Sequence, residues 1–196
     1  MTPEIFFTEF LPERLAARGV QGVGAFSRVP IVVSFCVFGD REGAGAWHLR
    51  LEPDAIEVGT GIGDLPLLAV HTPIEDWTLT RPRLASWVER LIDLLSEARR
   101  TPWDEVKINR VRNISATIEL VEAEHPGQDG PRDLSALVTV NAATRDRPVD
   151  LQVIVLSSDY EAMLRGDLRP VRAFGQGAFK FEGDIGLGLR LLLAAR

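Results

Sequence analysis

VRAFGQGAFKFEGDIGLGLRLLLAAR, residues Val171–Arg196, is the stretch from which the fold is read. Phe179 and Phe181 fall on one face of an extended segment and Lys180 and Glu182 on the other, the period-2 pattern of a half-buried strand. Gly183 permits a sharp turn, and Asp184 is placed to cap the amides of a following helix. From Ile185 the spacing predicts a helix that is apolar on most of its circumference. Ile185, Leu189, Leu192 and Leu193 form one stripe, Leu187 and Leu191 widen it, and Gly186, Arg190 and Ala194 make a narrow small or polar side. Such a segment must be covered by the rest of the protein, by a partner or by a hydrophobic ligand.

Upstream lies VDLQVIVLSSDYEAMLRGDLRPVRAFGQG, Val149–Gly177. Its ordered features are a strand, then Ser158-Asp159-Tyr160, then Gly166-Asp167-Leu168-Arg169-Pro170, Phe174 and Gly177. Phe179–Phe181, Gly183-Asp184 and Ile185–Leu193 complete the series. Together the two segments resemble the sterol carrier protein 2 (SCP2) family. The resemblance runs back more loosely to about Arg81 and says little about the first 80 residues. It implies an α+β fold, a twisted antiparallel sheet covered by helices. It divides the chain into an N-terminal helix and β-meander extension over 1–80 and an SCP2-like lipid-binding domain over 81–196.

The resemblance also implies non-covalent binding of a fatty acid, sterol or similar lipid in an apolar tunnel. The walls would be Val153, Val155, Met163, Leu164, Phe174, Phe179, Phe181, Ile185, Leu189 and Leu192. No catalytic residue, metal or cofactor is needed for that role, and transient membrane contact is compatible with it. Two rivals stand beside it. One is a non-catalytic interaction or scaffold module whose core fills the space of the ligand. The other is a small enzyme acting on an apolar substrate, built on His71, Glu75 and Asp76 or on Asp159.

Length and composition set the bounds. The 196 residues suit one large domain, or one domain with a substantial extension. A formal net charge of −6 argues against a surface that tracks nucleic-acid phosphates. The single Cys36 excludes an internal disulfide and a cysteine-based zinc site. No run of 18 apolar residues marks a membrane span. Glu4, Glu9 and Glu13 near the start do not read as a secretory signal, so a cytoplasmic location is the default expectation.

Taken in order, Thr2–Arg18 reads as helix, broken or restarted at Pro12. Alternation predicts strands over Val29–Phe38, Ala46–Glu52 and Ala55–Val58, joined by tight turns as an antiparallel meander, and a fourth strand over Leu65–Val70. Thr72–Leu79 reads as a short helical turn. A clear helix follows with Pro82 near its first position. Leu84, Trp87, Val88, Leu91, Ile92, Leu95 and Ala98 form its apolar stripe, with Trp87 expected in the core. Trp103–Val111 reads as a connector and Glu124–Arg132 as a turn-rich loop between strands Ile114–Ala123 and Leu134–Ala142. Val149–Leu156 is a further strand, and Ser158–Glu161 a capping box that opens a helix ending at Gly166. A helix, three strands and a polar–aromatic turn recur in both halves, which suggests a degenerate, incomplete duplication.

Candidate chemistry is sparse. Gly59-Thr60-Gly61-Ile62-Gly63-Asp64 follows a strand like a phosphate loop. Asp64 stands where the dinucleotide fingerprint needs its last glycine, so it reads as an ordinary loop. His48, His71 and His125 lack metal-ligand spacing, and His48 alternates outward from its strand. His71 with Glu75 and Asp76 is the best acid–base grouping the sequence offers. Cys36 reads as a small core residue. No Gly-x-Ser-x-Gly elbow is present.

Overall fold

Strand alternation in the sequence builds an eight-stranded sheet. The computed structural model describes residues 1–17, 30–98, 105–127 and 130–194, with the side chains of 90–98, 105–108, 170–171 and 191–194 excepted. The strands are β1 (Ile31–Phe38), β2 (Gly45–Leu51), β3 (Ile56–Thr60), β4 (Leu68–Pro73), β5 (Ala116–Gly127), β6 (Gly130–Val140), β7 (Leu151–Leu156) and β8 (Phe179–Gly183). They lie in the order β3-β2-β1-β4-β6-β5-β7-β8. The helices are α1 (Pro3–Ile5), α2 (Leu11–Ala17), α3 (Trp77–Ala98), α4 (Glu105–Arg112), α5 (Ser157–Arg165), α6 (Pro170–Gly175) and α7 (Ile185–Ala194). The fold is α+β, as expected. No helix among the described residues is long and apolar enough to cross a membrane.

Five of the seven strand pairings are antiparallel, and β1–β4 and β5–β7 are parallel. The reason is shared by both halves. β1 and β2 form a hairpin, and the chain returns as β4 along the open edge of β1. β5 and β6 form a hairpin, and the chain returns as β7 along the open edge of β5. In the second half β7 follows β6 and starts beside the start of β5. In the first half β3 comes between, and the chain from Thr60 runs back to Leu67, whose N–H bonds Val32 O, before β4 starts beside the start of β1. Each returning strand therefore runs parallel to its neighbour. β4 and β7 each lead directly into a helical turn, at Ile74–Asp76 and at Ser157. The pairing of β4 with β6 joins the halves in one sheet.

The first half is filled. Phe7 stacks on Trp47 with ring centroids 4.9 Å apart and lies 5.1 Å from Phe35, while Phe6 meets Trp77 edge-on at 5.5 Å. Fully buried rings of this kind contribute about 1.5–3 kcal/mol each. Pro12 does not break the N-terminal helix. The turn before it, Phe6–Phe10, widens to a π-helix in which Leu11 N–H bonds Phe6 O.

Several boundaries differ from the sequence expectation. Leu65 has φ 47° and is almost fully exposed, so β4 starts three residues later at Leu68. α3 begins at Trp77, not after Pro82, because the buried indole anchors its first turn and Trp77 Nε1–H donates to Met1 O at 3.0 Å. Residues 105–111 of the expected connector belong to helix α4, whose terminal carbonyls, Val111 O and Arg112 O, accept from Asn141 Nδ2. The loop expected over Glu124–Arg132 is mostly hairpin. A bulge between Glu122 and His125, with Glu124 at φ 58°, lets pairing resume at His125–Arg132 and reach Gly127–Gly130. α5 opens at Ser157 with no side-chain cap, so the capping box read at Ser158–Glu161 does not form. Leu91, Ile92, Leu95, Ala98 and Trp103 lie outside the described side chains.

Candidate functional site

A cavity of about 300 Å³ lies between the second half of the sheet and helices α3 and α5. Strand register lays its floor. Ala136, Leu120 and Val153 form one row across β6, β5 and β7, and Leu134, Glu122, Val155 and Phe179 form the next, continuing onto β8. Val70 and Thr72 of β4 extend it toward the first half. α3 presents Thr80, Arg83, Leu84 and Trp87, spaced by three and four residues, so all four fall on one helix face. α5 presents Tyr160, Met163 and Leu164 by the same rule.

The lining is mostly apolar, with Thr72, Thr80, Ser135 and Tyr160 as its uncharged polar members and Arg83 and Glu122 as its charged pair. Arg83 Nε donates to Glu122 Oε2 and its Nη2 to Glu122 Oε1, both at 2.7 Å. The same Nη2 reaches Glu161 Oε1 at 3.0 Å. Ser157 Oγ donates to Glu122 Oε1 at 2.6 Å, and His125 Nδ1 lies 2.8 Å from that oxygen. Nη2 has two hydrogens, and the two glutamates take both. His125 Nδ1 is therefore a donor to Glu122, not an acceptor from Arg83. Burial pushes the Glu122 carboxyl up. The hydrogen bonds from Arg83, Ser157 and His125 more than reverse this and hold it below the usual carboxylate range. Trp87 Nε1–H donates to the Tyr160 hydroxyl at 3.0 Å, and burial raises the phenol's pKa.

This network neutralises charge and does not form a nucleophilic triad. Ser157 gives its hydrogen to the carboxylate, and it approaches the imidazole only at 3.5 Å and at the same Nδ1 that Glu122 occupies. The acceptor of that hydrogen is Glu122, a carboxylate that its three donors hold below the usual range and so make a weak base.

Of the residues expected to line a tunnel, Val153, Val155, Met163, Leu164 and Phe179 stand on the cavity wall. Phe181 continues the first floor row but packs against Phe174, centroids 5.6 Å apart, outside the cavity. Phe174, Ile185 and Leu189 are 47%, 56% and 47% exposed and lie off the wall. Among the described side chains of α7 it is Leu187 that is buried. Leu192 is outside the described side chains. Trp87, expected in the core, is 40% exposed and carries the cavity wall to the surface; among the described side chains Leu84 and Val88 are the buried members of its helix face.

Other sequence candidates separate. His71 is buried against Thr139, its Nε2 3.3 Å from Thr139 Oγ1, whereas Asp76 pairs with Arg132 at 2.6 Å and Glu75 sits beside Gly39. They make no acid–base group. The glycine-rich loop serves packing: a Cβ at Gly59 would lie 2.4 Å from the His48 ring, and one at Gly63 3.1 Å from it. His48, expected in solvent, is instead partly buried there, with Nδ1 3.0 Å from Gly61 O. Cys36 is buried, and burial pushes its thiol up.

Residues 98–192 match the SCP-2 sterol transfer family. The apo structure of sterol carrier protein 2 from Yarrowia lipolytica matches at 15% identity and a TM-score of 0.28, covering 41% of this chain and 64% of that one. The match thus spans less than two thirds of that protein's length. No curated protein gives a match. The SCP2 match includes β5 to β8 and α5, hence most of the floor and one wall. Val70, Thr72 and the α3 wall with Arg83 lie outside it.

Proposed function

We propose that this protein binds and carries a lipid or other hydrophobic small molecule, non-covalently, in the cavity between the sheet and helices α3 and α5. The observation that carries this reading is the cavity itself. The first half of the same sheet is filled by Phe6, Phe7 and Trp47, whereas the second half keeps about 300 Å³ of apolar space. Close-packed interiors rarely leave a void larger than a water molecule, and ligand pockets begin at about this volume. The SCP2 family match over residues 98–192 supports the reading. Carriage needs no covalent step, in keeping with a serine whose hydrogen is committed to a carboxylate.

Native mass spectrometry of freshly purified protein, followed by titration with a fluorescent apolar probe after delipidation, tests the proposal. A co-purified small apolar molecule, or saturable probe binding displaced by lipid, is the expected result. A ligand-free protein that takes up no probe would overturn it.

A further inference from the structure

We infer that ligand enters and leaves the cavity along the seam between α3 and α5, through a gate formed by Trp87 and Tyr160. The inference rests on the carrier reading above and concerns the route into its site. Three other boundaries of the cavity are held shut. The floor is a run of hydrogen-bonded strands from β4 through β6, β5 and β7 to β8. Opening it would strip backbone groups of their partners. α3 is fixed towards the first half by Trp77, Leu84 and Val88, all buried in the main core. α5 is fixed on its other side by Met163, which clusters with Val155 and Ala173.

The seam is pinned at its buried end and loose at its exposed end. Glu122 does the pinning, since it accepts from Arg83 of α3 and from Ser157 at the start of α5. Trp87 and Tyr160 stand four and three residues further along the same helices, about one turn from those anchors. There Trp87 Nε1–H donates to the Tyr160 hydroxyl at 3.0 Å. Both residues line the cavity, and Trp87 is the one exposed residue among the described lining. A neutral hydrogen bond beside solvent exchanges readily for bonds to water, and exposed side chains change rotamer fast. A second bridge across the seam, Arg83 Nη2 to Glu161 Oε1, ends on a partly exposed carboxylate and holds weakly. The indole and the phenol can therefore swing apart while Glu122 keeps both helices in place. Trp87 lies outside the SCP2-matched residues, so half of the gate comes from the part of the chain that the family match does not reach.

The test is stopped-flow fluorescence of the neutral apolar dye N-phenyl-1-naphthylamine with the delipidated full chain. Tyr160→Phe removes the acceptor and keeps the ring, over which the Arg83 guanidinium lies at 5.9 Å. Trp87→Phe removes the donor. A gate that closes over the empty and the loaded cavity alike slows entry and exit together, so loosening it changes rates and not affinity. We expect association and dissociation rate constants both to rise at least about threefold in each variant, the factor that one hydrogen bond supplies, with Kd within about twofold of wild type. Wild-type rates in both variants would overturn the gate and place the entrance elsewhere. A dissociation rate that rises alone would overturn it too, since it marks residues that hold the ligand and do not gate it. Urea midpoints check that both variants are folded, and Tyr160→Phe, the smaller change, stands alone if Trp87→Phe is not. If the wild type gives no dye signal, the carrier reading itself fails, and the gate with it.

Discussion

Arg83 and Glu122 meet side-on, Nε to Oε2 and Nη2 to Oε1, each at 2.7 Å, in a cavity whose lining is otherwise uncharged and mostly apolar. The geometry is bidentate and both side chains are largely buried. A buried pair of this kind adds little net stability over apolar groups of the same shape, yet it is expensive to break. Arg83→Ala leaves the Glu122 carboxylate without its cation and should cost about 3–5 kcal/mol in urea unfolding. The double change Arg83→Met with Glu122→Leu should recover most of that loss. A single-variant loss below about 1 kcal/mol would show that water already reaches the pair.

His71 supplies a pH dependence of definite sign. Thr139 Oγ1 donates to Ala142 O at 2.7 Å, so towards His71 Nε2 it acts as acceptor, and the neutral ring carries its hydrogen on Nε2. Burial lowers the pKa of His71, and the nearby Arg145 lowers it further. The folded value is thus below the unfolded one, about 6.5. Between the two, the unfolded chain binds more protons. The contribution is therefore whole above about pH 6.5 and is lost as pH falls below it, at no more than about 1.4 kcal/mol per pH unit. Urea midpoints at pH 7.5 and 5.5 should separate in the wild type and converge in His71→Gln. An equal acid loss in both proteins would place the titration elsewhere.

Much of this was legible in the sequence, and the misses have physical causes. Phe179, Phe181, Gly183 and Asp184 fall where their pattern put them, because a period-2 strand, a glycine turn and a cap are local signals. The parallel pairs were not legible, since alternation gives a strand's faces but not its neighbours. Trp87 shows the limit of helical periodicity: the stripe Leu84–Trp87–Val88 locates a face, and the face borders both the core and an open cavity. The Arg83–Glu122 wall left one overlooked sign. Glu122 occupies the register of Ala116, Ile118 and Leu120 on β5, so a carboxylate stands where the alternation asks for an apolar residue. A charge in that register needs a partner from elsewhere, and Arg83 is 39 residues away.

The turn into α7 should be intolerant of a side chain. Gly183 has φ 97°, and a Cβ there would stand 2.5 Å from Asp150 O, the acceptor of Asp184 N–H. Asp184 Oδ1 in turn accepts from Leu187 N–H at 3.0 Å. Gly183→Ala combines backbone strain with a backbone clash and should cost more than about 2 kcal/mol. Asp184→Ala removes the cap and an exposed contact from Arg190 Nη2, and should cost about 1 kcal/mol. Chemical unfolding of the two variants checks the order. Equal or inverted losses would mean that the turn relaxes.

The last expectation separates the cavity wall from the apolar helix α7. Val153 sits in the floor row between Leu120 and Phe181 and faces the cavity, whereas Leu189 is about half exposed and off the wall. Val153→Phe adds a ring where the structure has space, so overpacking strain should be small and stability should stay within about 1 kcal/mol. The ring takes the volume of the ligand, and affinity for an apolar probe should fall at least about tenfold, or about 1.4 kcal/mol. Leu189→Gln places a good helix former on a surface position, and stability should stay within about 0.5 kcal/mol with affinity unchanged. Probe titration and urea melts on both variants decide the matter. If Leu189→Gln weakens binding as much as Val153→Phe does, then α7 forms part of the ligand's enclosure and the assignment of the site to the α3–α5 cavity is wrong.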